Sequence, residues 1–311
     1  MKKAQIPVHW IFVIIAGSII LLFFVGFGIK YIDLQKSKLN AEIARGIDST
    51  VSGLKLGGNF KTVKLNDDTN IEFNCDGFTI NDEFNHKWSE NVIFSPDNIE
   101  SDELFVLTRK FAYPFSIENV IFIGYDDYKI FIIDDEFSKN IRSIIPEDFS
   151  NVEFVKVNDL NSIDFNEFKH AKIVSFSRND IIERYNDEAE IVIVDPAEIG
   201  SLSYDSERYQ FIGYTMILGA IFSSPKMYEC QSKRLFSKVS VISDIYVNKA
   251  RYLQDCCSNF RCSYLDISTT LNNFKEEFST SSPNLNNINT LKDNIVDKNQ
   301  NIFRKDCREV F

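Results

Sequence analysis

Six cysteines, three histidines and one aspartate at a strand end are the residues of this 311-residue chain best placed to do chemistry. The cysteines are Cys75, Cys230, Cys256, Cys257, Cys262 and Cys307. An even number fits disulfides, which persist outside the cytoplasm. Four of them lie near the C-terminus, where the chain becomes polar and a cross-link would help most. Cys230 and Cys256 flank one helical pattern, about 39 Å end to end, and so should not pair with each other. The expected bridges are one or two among Cys230, Cys256, Cys257, Cys262 and Cys307, in a pairing that spacing alone does not fix. Cys75 follows an alternating run and reads as a buried thiol. A zinc site on Cys256, Cys257, Cys262 and Cys307 is the alternative, but adjacent cysteines suit tetrahedral ligation poorly and no C-x2-C spacing occurs.

The histidines, His9, His86 and His170, stand in no catalytic spacing with a Cys, Ser or acidic cluster. There is no G-x-S-x-G, P-loop or G-x-G-x-x-G, and 12 glycines leave few loops able to cradle phosphate. No catalytic residue, metal site or cofactor is therefore expected. The one candidate ligand site is Asp195, in Val192-Ile193-Val194-Asp195-Pro196, with Ser177 at the end of the neighbouring candidate strand. Ligands bind beyond the carboxyl ends of parallel strands. The plainer reading is that Asp195-Pro196 stops the strand and opens a turn. The acidic pairs Asp67-Asp68, Asp126-Asp127 and Asp134-Asp135 lack the D-x-D-x-D-G pattern of a calcium loop and read as solvated turns.

The elements that would position these residues begin with an uncharged run. Residues 10–29 contain no ionisable side chain, and Lys30 and Tyr31 follow as an interface pair. As a helix the run spans roughly 30 Å, one hydrocarbon core. It is too long for a cleaved signal and has no A-x-A-like site after it. A single-pass anchor is expected, with the lipid bilayer as its first partner. The helical period continues through Ile32, Leu39, Ile43, Ile47, Val51 and Leu54 to Gly57-Gly58, which predicts one helix of about 50 residues, half in lipid and half packed on a body.

Residues 59–133 read as short strands, with Gly124-Tyr125-Asp126-Asp127-Tyr128 as a hairpin turn between 120–123 and 129–133. Strands at 152–157, 172–176 and 190–194 are separated by more than ten residues each, the pattern of parallel pairing across helices at 159–169 and 178–187. From 201 the pattern turns helical. Ser224-Pro225 starts a helix with Leu235, Val239, Ile242, Tyr246, Ala250 and Leu253 on one face. Two more helices follow near 268–278 and from Leu285, and 297–311 read as a loose tail unless Cys307 ties it down. The fold class is α+β, with an anchor and stem at 1–55, a strand-rich to α/β body at 56–200 and a helical, cysteine-bearing region at 201–311.

The start, Lys2-Lys3-Ala4-Gln5, resembles the class III signal of archaeal type IV pilin-like proteins, as does a membrane helix running straight into an amphipathic one. The resemblance covers the first 55 or so residues. It implies processing between Ala4 and Gln5 and assembly with other subunits. Pro7 and His9 stand where that family has Ser and Glu, the Glu being the residue that pairs with a neighbour's amino terminus. The chain also resembles archaeal proteins with an N-terminal anchor and a large soluble domain.

Charge divides the chain in the same place. The net charge is −11, yet residues 1–45 hold Lys2, Lys3, Lys30, Lys36, Lys38 and Arg45 against Asp33 and Glu42, a net +4, which leaves −15 on the rest. Such an acidic body excludes a general nucleic-acid binder. The flanking lysines favour a cytoplasmic body by simple count. The cysteines and the pilin-like start favour the outer face of the cytoplasmic membrane. The leading expectation is a non-enzymatic, anchored envelope protein whose partners are other envelope proteins. An anchored enzyme or receptor using Asp195 and Ser177, and a cytoplasm-facing scaffold, are the alternatives.

Overall fold

A single uninterrupted helix, α1 (Val8–Lys55), opens the fold, 48 residues and about 72 Å long. The structure, a computed structural model, describes residues 8–57, 59–65, 69–88, 91–147, 149–176, 184–185, 187–204, 207–258, 261–280 and 283–311. Ala4, Gln5, Pro7, Asp67, Asp68 and Ser177 lie outside the described residues. The most apolar 18-residue window of α1 has mean hydropathy 2.8 and none of it is buried, so this helix is long and apolar enough to cross a membrane. Exposure continues beyond the apolar run: Ile32 is 56% and Leu39 40% exposed. Packing starts at Asn40 and follows Ala44, Ile47, Val51 and Leu54, a 4-3-4-3 spacing that turns one face to the body. The expected stripe is therefore corrected in its first half. Ile32 and Leu39 stand free, Ile43 packs partly, and the seam passes through Asn40 and Ala44 instead.

Fourteen strands follow among the described residues: β1 (Phe60–Lys64), β2 (Asn70–Asn74), β3 (Gly77–Ile80), β4 (Phe84–Lys87), β5 (Ile93–Phe94), β6 (Asn98–Glu100), β7 (Glu103–Ala112), β8 (Ser116–Tyr125), β9 (Tyr128–Ile133), β10 (Val152–Val155), β11 (His170–Ser175), β12 (Glu190–Val194), β13 (Ile199–Tyr204) and β14 (Glu207–Ile212). They form three sheets with orders β1-β7-β8-β5, β4-β3-β2-β6 and β10-β9-β11-β12-β13-β14. The expected hairpin at Asp126-Asp127 is not one. β8 pairs with β7 and β5, whereas β9 pairs with β10 and β11, so the turn carries the chain from one sheet to another. Both strands are apolar runs with two partners each, and neither has an edge left for the other.

The six-stranded sheet contains the expected parallel set. β10, β9, β11 and β12 run parallel, and β13 and β14 extend the sheet antiparallel. The helical region thus begins later than residue 201, because Leu202 and Tyr204 alternate with Ser201 and Ser203 as a strand does. Of the four parallel strands, β9, β11 and β12 are buried on both faces, which explains their apolar runs, while β10 is an edge strand that keeps Glu153 exposed. Ile130, Ile132, Val174, Val192 and Val194 face the main core. Phe131, Ile133, Ile173, Ile191 and Ile193 face a second, smaller one. The helix expected over 159–169 is two 3-10 turns, Asp159–Ser162 and Phe165–Glu167, whose Leu160 and Phe165 cover that second face. Asp164 and Asn158 favour local turns over a continuous helix. Of the expected helix over 178–187, only 184–185 and 187 are described, Arg184 and Tyr185 being helical.

Longer helices after α1 among the described residues are α2 (Ser138–Arg142), α3 (Gly213–Phe222), α4 (Pro225–Cys257), α5 (Leu265–Phe278) and α6 (Leu285–Arg304). Ser224 caps α4 by accepting a hydrogen bond from the Met227 N–H at 3.2 Å, with Pro225 in the first turn. The tail is docked, and Cys307 ties it to Cys262. Asn299 in α6 accepts from the Val310 N–H and donates to the Phe311 carbonyl, and the Phe311 ring lies against Phe115 and Tyr246.

Candidate functional site

Strand ends come first, because open parallel sheets bind ligands there. In this sheet the connections from adjacent strands β9 and β11 leave on opposite faces: α2 packs in the main core, and Tyr185, after β11, in the second. The crevice of the topology is therefore between β9 and β11, one strand away from Asp195. Its acids, Asp134 and Asp135, are already engaged. Asp134 pairs with Arg142 at 3.2 Å, and Asp135 Oδ1 accepts from the Ser138 N–H at 2.7 Å to start α2. Asp195 closes the turn into β13: its Oδ2 accepts from the Ser201 N–H at 3.1 Å and the Ser201 hydroxyl at 2.5 Å, with Arg208 at 3.7 Å. This geometry gives Asp195 a turn-closing task. Among the described residues no group of three or more His, Cys, Asp or Glu side chains is arranged to hold a metal ion.

The densest polar arrangement is elsewhere. Lys172, in β11, is fully buried. Its Nζ donates to the Ser223 carbonyl at 2.6 Å and the Ala220 carbonyl at 3.3 Å, and stands 3.4 Å from Glu190 Oε2. Those carbonyls are orphan acceptors at the C-terminal end of α3, so a strand lysine supplies the positive charge a helix end attracts. The rings of Tyr128 and Tyr204 flank the ammonium at 5.5 and 5.3 Å. The Tyr128 hydroxyl donates to Glu190 and the Tyr204 hydroxyl to the Ala220 carbonyl. Burial pushes the Lys172 ammonium below the usual lysine range, and Glu190 opposes part of that push. All its donors are spent on structure, which makes this centre a clasp between β11, β12 and α3.

Burial drives the phenols of Tyr128, Tyr204 and Tyr228 well above the usual tyrosine range. Unfolded phenols ionise near about pH 10. The fold favours the neutral form, so this contribution is whole below that pH and is lost as pH rises through it. Lys172 acts in the opposite sense. With several phenols against one ammonium, the denaturant midpoint should fall from about pH 10 upward. A flat profile between pH 8 and 11 would refute this balance.

The third arrangement joins α1 to the body. Glu118 on β8 is 5% exposed and lies 2.7 Å from Lys55 at the last turn of α1 and 2.9 Å from Lys238 on α4. Lys55 also donates to Asn91 Oδ1 at 2.6 Å, and its carbonyl accepts from Asn119 at 2.7 Å. At the other end of the packed stretch Asn40 accepts from Asn81 at 2.9 Å. Between them His86 Nε2 lies 3.5 Å from Asp48. Two open grooves border these elements. One of about 690 Å³ is lined by Lys55, Glu118, Arg234, Lys238 and Ile242, and one of about 740 Å³ by Arg208, Tyr209, Lys233, Phe236 and Phe278.

The cysteines form three pairs. Cys75 joins Cys230, with Cα atoms 5.9 Å apart, and Cys262 joins Cys307 at 5.8 Å. Cys256 joins its neighbour Cys257. Cys75, read from sequence as a thiol, is thus a bridge partner: the β2–β3 turn lies on the first part of α4, a contact that no local pattern announces. The four C-terminal cysteines pair two and two and do not converge as four zinc ligands. No family model, curated protein or solved structure matches the chain.

Proposed function

We propose that the protein is a single-pass, membrane-anchored, non-enzymatic interaction protein of the cell envelope, which holds an α+β body on the outer face of the cytoplasmic membrane. The observation that carries this reading is the division of α1. Nearly all of residues 10–39 are exposed, and residues 40–55 are fixed to the body from end to end. An uncharged run of 20 residues fills a hydrocarbon core. The ten residues that follow add about 15 Å of stand-off at 1.5 Å each. Because the helix is continuous, the body is carried on a rigid stem. The basic stem segment meets anionic headgroups, while the acidic body is repelled from them.

The outer face is supported by the cysteines, which are all paired. The pilin-like start supports assembly with like subunits, and Pro7 and His9 weigh against the usual assembly contact. The enzymatic reading has less support, since Asp195 is bound into its own turn.

Protease added to intact cells tests sidedness. The body should be shed, and the protein denatured without reductant should yield no titratable thiols. A body protected in intact cells and cleaved only in inverted vesicles, with six free thiols, would place it in the cytoplasm and overturn the proposal.

A further inference from the structure

The three disulfides do not serve one purpose. Cys75–Cys230 spans 155 residues and Cys262–Cys307 spans 45. Bridges of that kind restrict the unfolded chain, the more so the longer the loop. Cys256–Cys257 has a sequence separation of 1 and closes no loop beyond its own peptide bond. Its Cα atoms are 3.8 Å apart, the spacing of any two consecutive residues across a trans peptide. Chain entropy therefore gives this bond no structural work.

Position separates it too. Cys262 and Cys307 are 9% and 8% exposed, and Cys75 and Cys230 are partly covered. Cys256 and Cys257 are both exposed, at the last turn of α4. Their backbone is still helical, a conformation two adjacent thiols also adopt, so opening the bond requires no rearrangement of the body. A nucleophilic thiolate must reach a disulfide sulfur to exchange with it. Of the three bridges this one is the most open to attack and the least needed for the fold.

We propose that Cys256–Cys257 is a thiol–disulfide exchange site whose reaction partner is an external dithiol. One thiolate of the partner attacks Sγ of Cys256 or Cys257. The S–S bond breaks, a mixed disulfide forms, and the released sulfur takes a proton. The partner's second thiolate then attacks the mixed disulfide and leaves with both of its sulfurs joined. Two electrons pass from the dithiol to the protein, which ends with two adjacent thiols and can be reoxidised by the reverse sequence. This inference concerns the isolated protein and does not depend on which side of the membrane the body occupies.

The test is a dithiothreitol titration of the full chain in detergent, without oxygen, with acid quenching, alkylation and peptide mass spectrometry. Cys256 and Cys257 should become alkylated together at a concentration about tenfold below that needed for Cys262 and Cys307. The thermal midpoint should be unchanged at that stage. A C256S/C257S variant should melt with the parent, while C262S melts lower. Free thiols at Cys256 and Cys257 in the air-oxidised protein, a bond from either to another cysteine, or reduction no earlier than the buried pair would each overturn the proposal. So would a C256S/C257S variant as destabilised as C262S.

Discussion

Lys172→Met should cost the body up to about 5 kcal/mol, the upper end of the penalty for removing one member of a buried ion pair, since Lys172 is fully buried but the Glu190 side chain is 30% exposed and water relieves part of the loss. At about 2–4 °C per kcal/mol for a domain of this size, the thermal midpoint should drop by up to roughly 20 °C. Methionine fills nearly the same volume, so packing is not the cause. What is lost is the donor shared by the Ala220 and Ser223 carbonyls and Glu190. The Tyr204 hydroxyl still reaches both carbonyls, at 2.9 and 3.3 Å, and Tyr128 still reaches the carboxylate, so the damage is limited by them. The double variant Lys172→Met, Glu190→Leu should lose less than the sum of the two single variants, because no carboxylate then remains beside an apolar neighbour. Guanidinium midpoints for the four proteins measure this directly. A loss below about 1 kcal/mol in Lys172→Met would mean that the clasp does not hold the sheet to α3.

This clasp was partly legible in the sequence. In a strand, residues two apart share a face, so Lys172 is in phase with Val174 and Phe176, and Glu190 with Val192 and Val194. A lysine and a glutamate of opposite charge, each in phase with core residues at the start of strands expected to run parallel, are a signal of an inward pair. That signal needs no structure to see. The β8–β9 misreading has a different cause. A turn between two apolar runs looks the same whether the runs pair with each other or with other partners, and the partners here come from distant parts of the chain. The Cys75–Cys230 bridge was hidden for the same reason, since it depends on where a three-stranded meander settles on α4. The length of α1 was readable because an uncharged run and an amphipathic run followed each other without Pro or a turn. Its seam was not, because Leu39 and Ile43 lie beside Asn40 and Ala44, and apolar character alone picks the wrong pair.

Removing residues 1–39 and removing residues 1–56 should give opposite results. The first cut ends just before Asn40, where packing begins. It deletes the exposed apolar residues from Trp10 to Leu39 and leaves the seam intact, so the product should be soluble without detergent and keep its full denaturant midpoint. The second cut also removes Ala44, Ile47, Val51 and Leu54, which are between 0 and 6% exposed, and uncovers their contacts on β1, β4, β7 and β8. Burial of three large aliphatic side chains is worth about 1.5–3 kcal/mol each, or roughly 5–9 kcal/mol together. Lys55 goes as well, so Glu118 keeps Lys238 alone. That total is comparable with the whole stability of a domain, about 5–15 kcal/mol, and the shorter product should be aggregated or molten. Size-exclusion chromatography and the cooperativity of thermal melting separate the two outcomes. If the 57–311 fragment melted as sharply as 40–311, the stem would be an appendage of the body. If it failed while 40–311 folded, the packed part of α1 would belong to the core of the body rather than to a detachable stem.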